Sequence, residues 1–202
     1  RLGNWYVQSL CSPTRTALMS GRFAYTIGMN GEVITNGHPS ALSLNVSTLA
    51  TRLQGGGYRT MMVGKWDCGM SSWAHTPTRR GFDHWVGFYD AAEDHFTHEV
   101  GGFLDLRNDT AALAGASGVY STDLFATELL RSIEGHAASG SRQPTFAYAS
   151  FQAVHTPLQA PDRLLARCGN VSNPQRRLLC AMVTGVDDAV GDFVAAYERL
   201  GL

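Results

Sequence analysis

Lysine is almost missing from this 202-residue chain: of its 16 basic residues fifteen are arginine, and Lys65 stands alone. Charged residues make up only 16% and nearly cancel, leaving a net charge of −1. A nucleic-acid surface or a polybasic membrane patch needs a concentration of positive charge that this balance does not supply. No apolar run approaches the roughly 20 residues that span a bilayer. No signal peptide opens the sequence either, which excludes little, because Arg1 reads as the interior of a longer chain. Cysteine is scarce as well. Cys11, Cys68, Cys168 and Cys180 show neither a CxxC pair nor zinc-finger spacing, so a zinc site is not expected. Cys168 and Cys180 could close a short disulfide loop. Repeats and low-complexity tracts are absent.

What remains is a chain that is 44% hydrophobic, enough for the core of one domain. Trp5 to Leu10 reads as a short strand, followed by a helix over Pro13–Ser20 with Ser12 as its cap, Leu18 and Met19 buried and Gly21 as its stop. Ser47 caps a second helix through Leu53, ended by Gly55-Gly56-Gly57. Tyr58 to Val63 reads as a buried strand with Lys65 just beyond it. After a long loop region, Ser121 opens a helix carrying Leu124, Phe125, Leu129 and Ile133 on one face. Thr145 to Phe151 is the next strand, with His155 after its end. A last helix, Gln175 to Leu200, places Leu179, Met182, Val183, Val186, Val190, Phe193 and Tyr197 on a stripe. Trp5, Tyr6, Trp85 and Phe88 are expected in the core. This alternation predicts an α/β fold with a largely parallel sheet. Ligands gather beyond the carboxyl ends of such strands, and Cys11, Lys65 and His155 each follow one.

The local sequences are more specific. Cys11-Ser12-Pro13-Thr14-Arg15, running on to Leu18-Met19-Ser20-Gly21-Arg22, resembles the Cys-x-Pro-x-Arg signature of the sulfatases, whose cysteine is oxidised to formylglycine. Gly57-Tyr58-Arg59-Thr60-Met61-Met62-Val63-Gly64-Lys65-Trp66 resembles the family's second signature. Pro77-Thr78-Arg79-Arg80-Gly81-Phe82-Asp83, then Glu93-Asp94-His95-Phe96-Thr97-His98-Glu99, then His155-Thr156-Pro157-Leu158-Gln159-Ala160-Pro161 continue the series in order. Together they look most like the arylsulfatase B (N-acetylgalactosamine-4-sulfatase) branch. The resemblance implies an alkaline-phosphatase-like α/β domain, of which residues 1–202 are a partial N-terminal catalytic part. It also implies a sulfuric ester hydrolase acting on sulfated sugars, glycosaminoglycans or aryl sulfates.

The chemistry the resemblance implies suits these residue types. Hydrated formylglycine at Cys11 carries two hydroxyls on one carbon. One attacks sulfur, and the other loses its proton so that sulfate is expelled without water attacking sulfur. Arg15 would hydrogen-bond the diol, Lys65 would contact the sulfate, and His155 would donate to the sulfate or protonate the leaving alcohol. His95 and His98 fall in a matched block but read as structural or rim residues. The family also binds calcium. In this chain only position 11, as formylglycine, corresponds to a ligand. An Asp-Asp pair expected before residue 1 and an Asp-Asn pair expected after residue 202 would supply the others, so residues 1–202 alone are expected to bind calcium weakly and to turn over little. Asp187-Asp188 lies in a helical pattern and reads as solvated surface.

One departure bears on activity. The family's histidine two residues after the lysine is Asp67 here. A carboxylate there adds negative charge beside a sulfate; two unit charges about 4 Å apart interact by about 4 kcal/mol at an effective dielectric of 20. The repulsion is relieved if Asp67 pairs with Lys65 or Arg15, if it is neutral, or if it is turned away, although pairing with Lys65 would itself divert charge from the sulfate. Two other readings are therefore carried: an impaired sulfatase-like protein that binds sulfated glycans, and a related phosphonate or phosphodiester hydrolase. Three acceptor sequons, at Asn45, Asn108 and Asn170, exceed the one or so expected by chance and point to a lysosomal or extracellular glycoprotein. Maturation would then require a formylglycine-generating enzyme.

Overall fold

The computed structural model describes residues 3–31, 33–35 and 37–202. The chain forms α1 (Cys11–Ser20), α2 (Leu49–Gly55), β1 (Arg59–Lys65) and β2 (His84–Phe88). Four two-residue strands follow: β3 (Glu99–Val100), β4 (Phe103–Leu104), β5 (Arg107–Asn108) and β6 (Ala111–Ala112). Then come α3 (Ser121–Ala138), β7 (Thr145–Ser150), α4 (Asp162–Arg167) and α5 (Pro174–Leu200). The main sheet has the order β6-β5-β2-β1-β7, while β3 and β4 pair separately. Strand β1 runs parallel to both β2 and β7, whereas β5 and β6 add an antiparallel edge. The sheet is thus parallel at its centre and mixed overall.

Strand β1 is buried on both faces, which is why it reads as a continuous apolar run. Met61 and Val63 face one core with Phe88, Phe125, Leu129, Ile133 and Phe193, under α3 and α5. Met62 faces the other with Met19, Ala50, Trp66, Phe82 and Trp85, over α1 and α2. The result is three layers with the sheet in the middle. Cys168 and Cys180 form the disulfide that their spacing allowed.

Several expectations are corrected. Residues 5–10 join no strand; Trp5 and Tyr6 are 66% and 88% exposed, because an apolar run becomes a strand only where a ladder partner lies beside it. Trp85 and Phe88 are core residues as expected. The first helix begins at Cys11 with Leu10 as its cap, so Cys11 lies in the first turn rather than before it, and Ser12 points its hydroxyl elsewhere. Leu18 is 42% exposed, since the helix buries Ser12, Pro13, Thr16 and Met19 instead. Thr48, not Ser47, caps α2, accepting from the Thr51 N–H. Lys65 is the last residue of β1 rather than beyond it. On α5 the buried face runs through Ala181, Met182, Gly185, Ala189, Phe193 and Ala196, leaving Val183 and Val190 half in solvent. Small residues mark that face because α5 packs closely on α3 and α4.

Candidate active site

Three elements converge at the carboxyl end of β1. Helix α1 brings Cys11, Ser12 and Arg15; β1 and the turn after it bring Lys65 and Asp67; the end of β7 brings Ser150. Cys11 is a free, half-buried thiol. No side chain caps this helix and its first turn holds no acidic residue. Pro13 has no N–H and the Thr14 N–H bonds the Leu10 carbonyl, so the Cys11 and Ser12 N–H groups and the helix dipole remain available to an anion.

Asp67 is the hub. It is fully buried with a left-handed φ of 48°. Its Oδ1 accepts from Ser12 Oγ at 2.6 Å, and its Oδ2 lies 3.0 Å from Lys65 Nζ and 4.0 Å from Arg15 Nε. The lysine contact is an ion pair without hydrogen-bond alignment, so Oδ2 has charge compensation but no hydrogen bond. Burial pushes the Asp67 carboxyl above its usual range, against the opposing pull of Lys65, Ser12 and Arg15. Burial and the Asp67 charge together push the neighbouring Cys68 thiol well up, leaving it an unreactive core thiol. Arg15 Nη1 donates to the Lys65 carbonyl at 3.0 Å and to Ser150 Oγ, and Ser150 Oγ donates to the same carbonyl at 2.8 Å. The arginine thus ties helix, β1 and β7 together at the point where Lys65 is presented.

His155 is placed differently. It sits half-buried in the loop after β7, and its Nδ1 donates to the Thr156 carbonyl at 2.7 Å. That bond leaves Nε2 as the ring's free nitrogen. No hydrogen bond joins His155 to Cys11, Lys65, Arg15 or Asp67 among the described residues. Its loop is braced from below: Gln152 Nε2 donates to the Glu93 carbonyl at 2.6 Å and lies 3.1 Å from His95 Nε2, which is 3.3 Å from the His155 carbonyl. His95 and His98 are fully buried, as structural residues would be. His98 Nδ1 lies 3.1 Å from Glu93 Oε1, whose carboxyl burial pushes up to about 7.

Comparison with known proteins decides the family: the model described as Sulfatase matches residues 1–202. The chain belongs to the sulfatase family. It is 34% identical to mouse arylsulfatase J over 207 residues, covering 100% of this chain and 34% of that protein. It is 30% identical to an arylsulfatase of Klebsiella aerogenes over 179 residues, covering 83% of this chain and 38% of the relative. Among solved structures, Ps i-CgsB in complex with k-i-k-neocarrahexaose superposes with a TM-score of 0.84 at 27% identity, over 95% of this chain and 45% of that one. This sulfatase chain therefore spans a little over a third of the length of the curated relatives it matches.

The sulfatase residues present do not by themselves make a calcium site. Such a cation takes six to eight oxygens, and no group of three or more His, Cys, Asp or Glu side chains is placed to hold a metal among the described residues. The Asp67 carboxylate is already engaged by Ser12 and Lys65. Asp187 and Asp188 lie on the outer side of α5, where Asp188 pairs with Arg167. Position 11, by contrast, suits the aldehyde modification: it is free, reachable and set against uncapped helix N–H groups. Sequence reasoning missed Ser150, whose only signal was a polar residue ending an apolar strand, and the bond from Ser12 to Asp67.

Proposed function

We propose that the protein carrying this chain is a sulfuric ester hydrolase that cleaves sulfate esters of sugars, with residue 11 as formylglycine. The observation that supports it is the cluster at the end of β1: a free Cys11 on an uncapped helix start, whose helix neighbours Ser12 and Arg15 both reach the Asp67 that pairs with the chain's one lysine. Formylglycine would supply a hydrated aldehyde that accepts the sulfuryl group and then releases it as sulfate. Lys65 places positive charge where negative charge develops on the sulfate oxygens. Arg15 holds the Lys65 carbonyl and so fixes the end of β1, with its guanidinium adding to the positive field. His155, protonated on Nε2, would give that proton to the departing alcohol oxygen.

The name of pig N-acetylgalactosamine-6-sulfatase, a relative 27% identical over 213 residues, and the bound neocarrahexaose of the structural neighbour support a sulfated sugar as substrate. A disulfide and three exposed sequon asparagines, Asn45, Asn108 and Asn170, support maturation in the secretory pathway, with a lysosomal or extracellular destination. There a formylglycine-generating enzyme would act on Cys11. One observation favours a second reading, a sulfatase-like protein that binds sulfated glycans with weak or no turnover. The buried Lys65–Asp67 ion pair takes up the charge that the sulfate would otherwise meet.

The test uses full-length protein co-expressed with the maturation enzyme and loaded with calcium. Sulfate release from aryl sulfates and sulfated sugars is expected, lost in Cys11→Ala and cut at least about a hundredfold in kcat/KM by Lys65→Ala, as removal of one oxyanion partner does elsewhere. Binding of sulfated sugars with no release, after formylglycine is confirmed, would select the second reading.

A further inference from the structure

A second space opens beside the Asp67 hub. It is a cavity of about 290 Å³ whose walls include Ile34, His38, Gly69, Ser71, Tyr89 and Asp90. Three of those walls are tied to Asp67. The Ile34 N–H donates to Ser12 Oγ at 2.8 Å, and Ser12 donates to Asp67 at 2.6 Å. The Asp67 N–H donates to the Tyr89 carbonyl at 3.2 Å, and Gly69 follows two residues later. The cavity therefore lies past the carboxyl ends of β1 and β2, where α/β sheets receive ligands. Its volume sits at the lower edge of the roughly 300–1,000 Å³ typical of small-molecule pockets. That is room for one sugar ring rather than for several.

The charge of the lining is one-sided. No lysine or arginine lines the cavity among the described residues, and Asp90 does. Asp90 is only 8% exposed and its position is set from two sides. Its Oδ1 accepts from the Ala91 N–H at 2.5 Å, and its own N–H donates to Asp105 Oδ2 at 2.9 Å. The same Asp105 oxygen takes the Tyr89 N–H at 3.0 Å, fixing the turn that carries both lining residues. A carboxylate held this way accepts hydrogen bonds from hydroxyls or an ammonium and repels a nearby anion.

We propose that this cavity holds the sugar ring on the leaving side of the sulfate ester, and that Asp90 rejects rings carrying a second anionic group. The preferred ring is monosulfated, with free hydroxyl or amino groups, rather than one bearing a uronate or a second sulfate. The assignment rests on the sulfatase reading above.

Full-length protein as its Cys11→Ala variant, which cannot form the aldehyde, separates binding from turnover. Calorimetry with a monosulfated hexosamine and its disulfated counterpart should show at least about a tenfold preference for the first. Asp90→Asn keeps an Oδ1 for the Ala91 N–H and so keeps the turn, and it should bring the two affinities within about threefold. The kcat/KM ratio of the two esters in the formylglycine-bearing protein should move the same way. An affinity ratio that Asp90→Asn leaves unchanged overturns the proposal, whatever the turnover. A ratio that shifts in a protein that hydrolyses no sulfate ester upholds this cavity and removes the sulfatase reading instead.

Discussion

Asp67 touches Ser12 at 2.6 Å and Lys65 at 3.0 Å with no exposed surface, so it is paired rather than turned away. Removing one member of a buried ion pair strands the other, typically at a cost of about 3–5 kcal/mol. Asp67→His, which leaves the Lys65 ammonium without its carboxylate, should therefore lower folding stability by roughly that amount. The same change frees Lys65 to meet the sulfate. Turnover of an aryl sulfate should rise with KM at least about tenfold lower, since 1.4 kcal/mol is a factor of ten. Wild type and Asp67→His are compared with metal loaded and formylglycine quantified; a histidine variant no better on any ester that either protein cleaves contradicts the pairing argument. At this scale the sequence told much. Cys11, Arg15 and Lys65 were legible because their spacing is specific and lysine is scarce. The bond from Arg15 to Ser150 was not, because a serine carries no signal and the two lie 135 residues apart.

Gly64 and Gly57 share a left-handed backbone, with φ of +88° and +86°, but not their surroundings. A Cβ on Gly57 would meet open space, whereas one on Gly64 would fall 2.2 Å from the Ser150 carbonyl oxygen. The close approach of β1 to β7 at this point lets Ser150 and Arg15 converge on the Lys65 carbonyl. Gly64→Ala should cost at least about 3 kcal/mol from strain and overpacking combined, and Gly57→Ala only about 1 kcal/mol. Denaturant unfolding of the two variants checks this, and equal losses would refute it. Among elements, α3, α5 and β7 were legible from apolar periodicity. Strand β2 was hidden in what read as loop, because five residues including Gly87 give too little alternation. Residues 5–10 misled because composition can propose a strand but cannot supply its neighbour.

Across the whole molecule the buried carboxyls set a pH preference. Glu93 ordinarily titrates near 4.5 and is pushed up to about 7 by burial, and Asp105 rises from 3.8 to about 6 for the same reason. Between the unfolded and folded values the folded chain keeps a proton that the unfolded chain has lost, so stability falls as pH rises through that window. His95, held low by burial, acts in the opposite direction, so the Glu93 share is isolated against Glu93→Gln. Relative to that variant, the wild type should lose on the order of 2 kcal/mol between pH 5 and pH 7.5. A flat difference in unfolding free energy would show that Glu93 does not titrate there. Greater stability on the acid side accords with the proposed lysosomal destination. The family was legible in the sequence from ordered motifs spread along the chain. The mixed edge of the sheet was not, since two-residue strands leave no periodic trace. All the chemistry proposed here passes through residue 11. The most direct measurement is peptide mass spectrometry of that position in full-length protein co-expressed with the formylglycine-generating enzyme. The account predicts an aldehyde at residue 11, and an intact Cys11 thiol alone would contradict it.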